Sequence, residues 1–188
     1  MRPTTCNIPE LETPRLRLRA LRLDDFDAFA AMWREPAVVR FIGGVPLARE
    51  DAWSRFLRQM GMWHYLGFGV FAVEERETGS FVGVAGFHDL HRDITPSIDG
   101  TMEAGWVLSS TVHGRGMAVE AMRAALAWAD CSHATKRITC IIRPEHLASL
   151  HIAEKLGFSE FGRANYKGEP IVLLERAAGA GELRGMRA

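Results

Sequence analysis

The sequence predicts an α/β fold of the mixed α+β kind, in which a mixed sheet carries helices on both faces. Apolar residues alternate with a period of two over several short segments, as Leu16 and Leu18 do within 15–21. That is the pattern of a half-buried strand. Longer segments repeat their apolar residues at helical spacing, and one of them, 115–129, is rich in alanine. A hairpin signal, Arg76-Glu77-Thr78-Gly79-Ser80, shares the chain with a strand–helix–strand crossover between residues 101 and 142. Hairpins make antiparallel pairs and crossovers make parallel ones, so both occur in the sheet.

Residues 1–12 form a loose lead-in. In segment 15–21 the leucines point inward, and Arg15, Arg17 and Arg19 make a solvated face. Asp24 caps a helix that starts at Phe26 and ends at Pro36. Residues 35–48, with Gly43, Gly44 and Pro46, form a loop. A second amphipathic helix, 49–63, carries Trp53, Phe56, Leu57 and Met60. Segments 67–75 and 81–90 are the hairpin strands. The polar segment 91–100 is a second loop, and in the following strand, 101–108, Gly105 marks a bulge. Strand 137–142 sets Ile138, Cys140 and Ile142 on one face and stops at Pro144. Helix 145–156 ends at Gly157 with Phe158 behind it. Strands 161–166 and 171–175 close the sheet, and 177–188 is a mobile tail. Residues 13–176 therefore read as a single domain.

The chain is 47% apolar and 24% charged, with a formal net charge of zero. This is ordinary for a globular protein and gives no electrostatic reason to expect nucleic acid or an anionic membrane as partner. No apolar run approaches the ~20 residues of a membrane span, and the N-terminus lacks an apolar signal core. Cys6, Cys131 and Cys140 are odd in number and scattered. They suggest neither a disulfide framework nor zinc, which fits a reducing cytoplasm.

The most informative stretch is 103–129. A short apolar strand passes through a turn with Gly114 and Gly116 into the alanine-rich helix. A helix start presents N–H groups without intrahelical partners and a partial positive charge. Glycines let a ligand come close. Together they suit a phosphate or diphosphate, although strand–turn–helix units also occur where nothing binds. Two other phosphate motifs do not fit. The Gly-Lys-Ser/Thr of a Walker loop is missing. The third glycine of a dinucleotide fingerprint is replaced by Val119.

This order of elements resembles the GNAT superfamily of N-acetyltransferases, and within it the branch of ribosomal-protein N-terminal acetyltransferases. Three motifs over residues 11–176 carry the likeness. They are Glu103-Ala104-Gly105-Trp106-Val107-Leu108, then His113-Gly114-Arg115-Gly116-Met117-Ala118-Val119-Glu120-Ala121, then His146-Leu147-Ala148-Ser149 followed by Glu154-Lys155-Leu156-Gly157-Phe158. The resemblance implies a mostly antiparallel sheet in which strand 103–108 splays from the strand starting at Arg137. It implies acetyl-CoA as donor, no metal, and an amine acceptor on a small molecule or peptide. It leaves a homodimer open. The turn His113, Gly114, Arg115, Gly116, Met117 and Ala118 would hold the CoA diphosphate. Backbone groups of Trp106, Val107 and Leu108 would pair with the pantetheine, and the Leu108 N–H could polarise the thioester carbonyl.

For the chemistry, an alkylammonium must lose a proton before it attacks. Glu103, alone among apolar neighbours, is the candidate base, directly or through water; it could also face solvent or only bind the acceptor. Ser149 shares a helical face with Ile152, Ala153 and Leu156. The resemblance places its hydroxyl at the CoA sulfur to assist the leaving thiolate, whereas a helical serine often bonds the carbonyl one turn back. His146 stands where the family has asparagine and could meet the pantetheine. His113 stands where an aromatic residue, Gln or Arg is commoner. Tyr166 is a further candidate proton donor. Cys140 reads as a core residue, and Glu120 as compensation for the helix dipole. His88, Asp89 and His91 indicate no third metal ligand. Acceptor specificity falls to the loops at 35–48 and 88–100, with Trp33, Phe41, His64, His88 and His91 on that side. A CoA-binding sensor or assembly module without turnover, or an enzyme using a longer acyl-CoA, would share the donor site.

Overall fold

The computed structural model describes residues 8–133 and 137–176. The tail expected at 177–188, and the lead-in as far as residue 7, lie outside them. In chain order the elements are strands β1 (Leu11–Glu12) and β2 (Leu16–Arg19), helices α1 (Phe26–Met32), α2 (Pro36–Val39) and α3 (Arg49–Leu66), strands β3 (Val70–Glu75), β4 (Phe81–His88) and β5 (Met102–Leu108), helix α4 (Met117–Ser132), strand β6 (Ile138–Ile142), helix α5 (Leu147–Lys155), and strands β7 (Ser159–Tyr166) and β8 (Glu169–Arg176). The eight strands run in the order β1-β2-β3-β4-β5-β6-β8-β7. The pairings β1·β2, β2·β3, β3·β4, β6·β8 and β7·β8 are antiparallel, and β5·β6 is parallel. The mixed, mostly antiparallel sheet expected from the sequence is therefore present. The parallel register comprises Met102↔Ile138 and Glu103↔Thr139, although β5 continues to Leu108 and β6 to Ile142.

The chain divides into two compact units. One contains the residues up to His88 together with Gly105–Ala124. Its core joins Phe29, Met32 and Trp33 of the α1 region, Val38 and Val39 of α2, Phe56 of α3, and Val70, Ala72 and Val84 of the sheet. The α3 spacing puts Ala52, Phe56, Gln59, Met62 and Trp63 on its buried side. Trp63 fixes that helix to the sheet by donating its indole N–H to the Val70 carbonyl at 2.8 Å. Close strand contact here depends on Gly83, at φ +151. A Cβ there would meet the Val107 carbonyl oxygen and come within 2.7 Å of Leu108 Cα.

The other unit contains Asp89–Ala104 and the residues from Ala125 onward. Its sheet pairs β6 with β8 and β8 with β7, and the β5 start with β6. Ile94 and Ile98 pack with Ile171 and Leu173, and Ile141, Phe161, Ala164 and Tyr166 lie against them. The segment 91–100, expected as a polar loop, is thus a strap stapled to the sheet by two buried isoleucines.

Four local expectations are corrected. Arg19 is not on a solvated face. It is 4% exposed, and its guanidinium holds both Asp25 carboxylate oxygens at 2.8 Å and Glu74 at 2.8 Å. Asp24 does not cap α1. A 3-10 turn, Leu23–Asp25, precedes it, and Asp25 accepts from the Arg22 N–H at 2.8 Å. Pro36 does not end a helix but opens α2, a position where its missing N–H costs nothing. The lead-in contributes β1, paired with β2 through Leu11↔Leu18. A Cβ at Gly105 would lie 3.0 Å from the His88 ring, so the close approach of that imidazole favours glycine there.

Candidate active site

β5 leads into a short 3-10 turn, Ser110–Val112, and then into the glycine turn. Glu35 pins this passage by accepting from the Ser109 hydroxyl at 3.0 Å and the Ser110 N–H at 2.8 Å. Burial opposes the Glu35 charge, but these bonds outweigh it and hold the carboxyl below its ordinary value. His113 folds its Nε2 onto the Leu108 carbonyl at 2.9 Å. A nitrogen facing a carbonyl must carry the hydrogen, so Nε2 is the donor. The Leu108 carbonyl and the His113 ring thus serve each other.

Gly114 and Gly116 both have φ +75, and both are exposed. This left-handed backbone turns the chain so that α4 starts at Met117, which is buried. A Cβ on Gly114 would meet nothing within 4 Å, so the turn faces open space. The Glu120 N–H bonds back to the Gly116 carbonyl at 3.2 Å. The N–H groups of 117–119 are those that a helix start leaves without intrahelical partners. The result is an outward-facing set of amides at the positive end of a helix dipole, the arrangement that accepts a phosphate.

Polar clamps hold this turn. Glu120 accepts from the Thr13 hydroxyl at 2.7 Å, the Arg15 N–H at 2.9 Å and Arg15 Nε at 2.7 Å. Burial opposes its charge, and these bonds overcome that and keep the carboxyl below its ordinary value. Glu120 therefore does more than compensate the helix dipole, because it ties the start of α4 to the approach to β2. Arg15 also donates to the Arg115 carbonyl at 2.9 Å, and the Arg115 guanidinium pairs with Glu75 at 2.8 Å. Trp106 and Val107 are half-buried, Leu108 is buried and Ala118 is half-buried.

In the second unit Glu103 is 6% exposed. Both of its oxygens are taken by Arg92, Nε to Oε2 at 2.6 Å and Nη2 to Oε1 at 2.8 Å. The Arg92 guanidinium lies 4.8 Å from the Tyr166 ring centroid. Burial lowers the Arg92 pKa, but its hydrogen bonds with Glu103 and the Glu103 charge more than reverse this, so the guanidinium stays above its ordinary value. Burial pushes the Cys140 thiol up, and the Glu103 charge adds to it. Cys140 is therefore a protonated core residue, in line with its place on β6. Ser149 is buried on α5, with Ala153 and Leu156 buried on the same face, and its hydroxyl is 3.3 Å from His146 Nε2.

The residues expected on the acceptor side differ in exposure. Trp33 is 1% exposed in the core of the first unit, with the Arg55 guanidinium 4.1 Å from its ring, so it does not line an open surface. Phe41 and His88 are half-buried, whereas His64 and His91 are exposed. Asp89, His91 and Asp99 place ligand-type atoms within 4.8 Å of one another, so Asp99 rather than His88 joins that group. Among the described residues no helix is long and apolar enough to cross a membrane.

Sequence reasoning did not find Thr13, Arg15, Glu35 or Arg92. Thr13, Arg15 and Glu35 find partners 107, 105 and 74 residues away, and Arg92 itself lies in a segment without periodicity. One signal was available: a lone Glu in an apolar strand needs a cation if it is buried. It does not say which of many arginines answers.

The sequence model of the acetyltransferase (GNAT) domain matches residues 15–159. A solved structure from Bordetella pertussis, assigned to the GnaT family of acetyltransferases, is 35% identical with a TM-score of 0.81, covering 90% of this chain and 99% of that one. A curated relative from Bacillus licheniformis, the uncharacterized N-acetyltransferase p20, is 25% identical over 153 residues, 81% of this chain and 83% of that protein. The ribosomal-protein-S5-alanine acetyltransferase of Vibrio fischeri shares the fold, with a TM-score of 0.71 at 17% identity over 93% of this chain and 99% of that one. With the amide-lined glycine turn, the clamped start of α4 and a family match across most of its length, this chain belongs to the GNAT family of acetyltransferases.

Proposed function

We propose that the chain transfers the acetyl group of acetyl-CoA to a primary amine, by direct attack in a ternary complex. The observation that carries this reading is the turn at 114–118, where two glycines at φ +75 open onto the start of α4. Its amides bind the donor diphosphate. The short parallel register of β5 with β6 supports the strand splay that admits pantetheine in this family.

The reaction runs as one displacement. The acceptor ammonium gives up a proton under the influence of Glu103, and the neutral amine forms a bond to the thioester carbon. The C–S bond breaks, the thiolate takes a proton through the Ser149 hydroxyl, and the amide nitrogen releases its surplus proton to solvent. Ammonium and acetyl-CoA thus give an N-acetyl amine, CoA thiol and one proton. The acceptor is a small-molecule or peptide amine. The name of the Vibrio fischeri relative, an alanine acetyltransferase of a ribosomal protein, makes a peptide α-amine the first to try.

The test incubates the protein with acetyl-CoA or succinyl-CoA and a panel holding a peptide with N-terminal alanine, spermidine, free amino acids and an aminoglycoside. Mass detection follows the products. An acetylated amine with equimolar thiol release is the expected result. CoA binding with no product from any acceptor would favour a sensor without turnover, preference for succinyl-CoA would reassign the donor, and absence of CoA binding would overturn the proposal.

A further inference from the structure

The Glu103 carboxylate is unusual for a group that must receive a proton, because both of its oxygens already accept hydrogen bonds from one buried guanidinium. The Arg92 side chain is 15% exposed and that of Glu103 8%. Fork-to-fork pairing of this kind fixes the carboxylate plane as well as its charge. The strap that brings Arg92 is itself immobilised. Ile94 and Ile98, two and six residues on, are 7% and 4% exposed against Ile171 and Leu173. On the other side the Tyr166 ring lies against the guanidinium. The charged and titratable groups recorded about this pair include, among the described residues, Arg92 from the strap, the protonated Cys140 from β6, and Tyr166 from β7 against the arginine.

We infer that Arg92 is a positioning residue for the transfer reaction: it holds the Glu103 carboxylate in one orientation, so that Glu103 acts by holding a water that carries the acceptor's proton away. This rests on the assignment of Glu103 to proton handling. The physical reason is a conflict of roles. Protonating an oxygen that accepts a short charge-assisted hydrogen bond removes the charge that makes that bond strong. Each carboxylate oxygen has a second lone pair, and that one can receive a water hydrogen while the arginine bond persists. The proton then passes from ammonium to water and on to solvent. The carboxylate supplies a fixed acceptor for that water. The strap thus sets the geometry of the chemical step, although sequence reading had assigned it to acceptor choice.

The test measures kcat and the KM for acetyl-CoA for Glu103→Gln, Arg92→Gln and Arg92→Lys. The N-terminal-alanine peptide and spermidine serve as acceptor probes. Arg92→Gln is expected to lower kcat on the order of a hundredfold, the cost of a misplaced group, with the KM for acetyl-CoA within about twofold. Arg92→Lys restores the charge without the fork, so kcat recovers only in part. If removing one partner prevents folding, the paired Arg92→Gln/Glu103→Gln variant keeps a neutral hydrogen-bonded pair, and Arg92→Lys supplies the kinetic comparison. An Arg92→Gln enzyme with the wild-type kcat, beside an inactive Glu103→Gln, would overturn the role of Arg92 and leave the transferase intact. A fully active Glu103→Gln would overturn both assignments, and acetylation of neither probe by the wild type would overturn the transferase reading on which they rest.

Discussion

Replacing Gly114 with alanine separates what the glycine turn does for the fold from what it does for the donor. At φ +75 an L side chain is strained, by roughly 1–2 kcal/mol. The new Cβ meets no protein atom within 4 Å, so no clash adds to this. For a chain of this size each kcal/mol lowers Tm by about 2–4 °C, and the variant should melt about 2–8 °C below wild type. In the proposed donor complex the methyl projects from the turn assigned to the diphosphate. Losing one charge-assisted hydrogen bond there costs about 1.5–3 kcal/mol, so Kd for CoA should rise roughly ten- to hundredfold. Gly168→Ala is the matched control, with φ +82, no protein atom within 4 Å of its Cβ, and a place in the β7–β8 turn. Calorimetric titration with CoA and thermal melts on both variants decide the matter. Equal melting losses with a CoA affinity change confined to Gly114→Ala support the account. If both variants bind CoA as tightly as wild type, the turn is only a turn and the diphosphate assignment is wrong.

Other consequences follow from the buried charges and the second unit. The Asp25 carboxyl is buried, which alone would raise it, but hydrogen bonds from Arg19 and the Arg22 N–H hold it below its ordinary value. A depressed folded value means the stabilisation is present above the unfolded value and lost as pH falls through the folded one. Urea unfolding from neutral to acid pH should therefore show declining stability that Asp25→Asn flattens, and an equally steep decline in the variant would contradict this. Arg19→Met strands Asp25 and Glu74 and should cost about 3–5 kcal/mol at neutral pH in the same assay. Ser149→Ala should lower kcat about a hundredfold, in the range of positioned proton transfer, with CoA affinity by calorimetry unchanged. Alkylation of the native protein followed by peptide mass mapping should label Cys131, which is exposed, and spare Cys140 until denaturant is added.

Period-two leucines gave β2, the 76–80 signal gave the β3–β4 hairpin, and glycines gave the ends of α4 and α5, because each rests on residues close in sequence. The sequence misplaced features settled by distant partners. Arg19 alternates with Leu18 like any surface arginine, and only Asp25 and Glu74 draw it inside. The 91–100 strap is polar by composition, and its two isoleucines show their purpose only once β8 lies beneath them. The motif carried Glu103, Ser149 and the glycine turn into view. It could not reveal the Arg92 fork, since strap and strand meet only through the fold. Trp33 shows the opposite failure: an aromatic next to a glycine-rich loop looked like a ligand wall and proved to be core.

The central claim is that main-chain amides at 114–118 hold the diphosphate of coenzyme A. Amide NMR of the nitrogen-labelled protein, titrated with CoA and separately with dephosphorylated pantetheine, addresses it most directly. The account predicts large downfield shifts at Gly116, Met117 and Ala118 with CoA and none of that size with pantetheine. CoA binding that leaves those amides unmoved would contradict it.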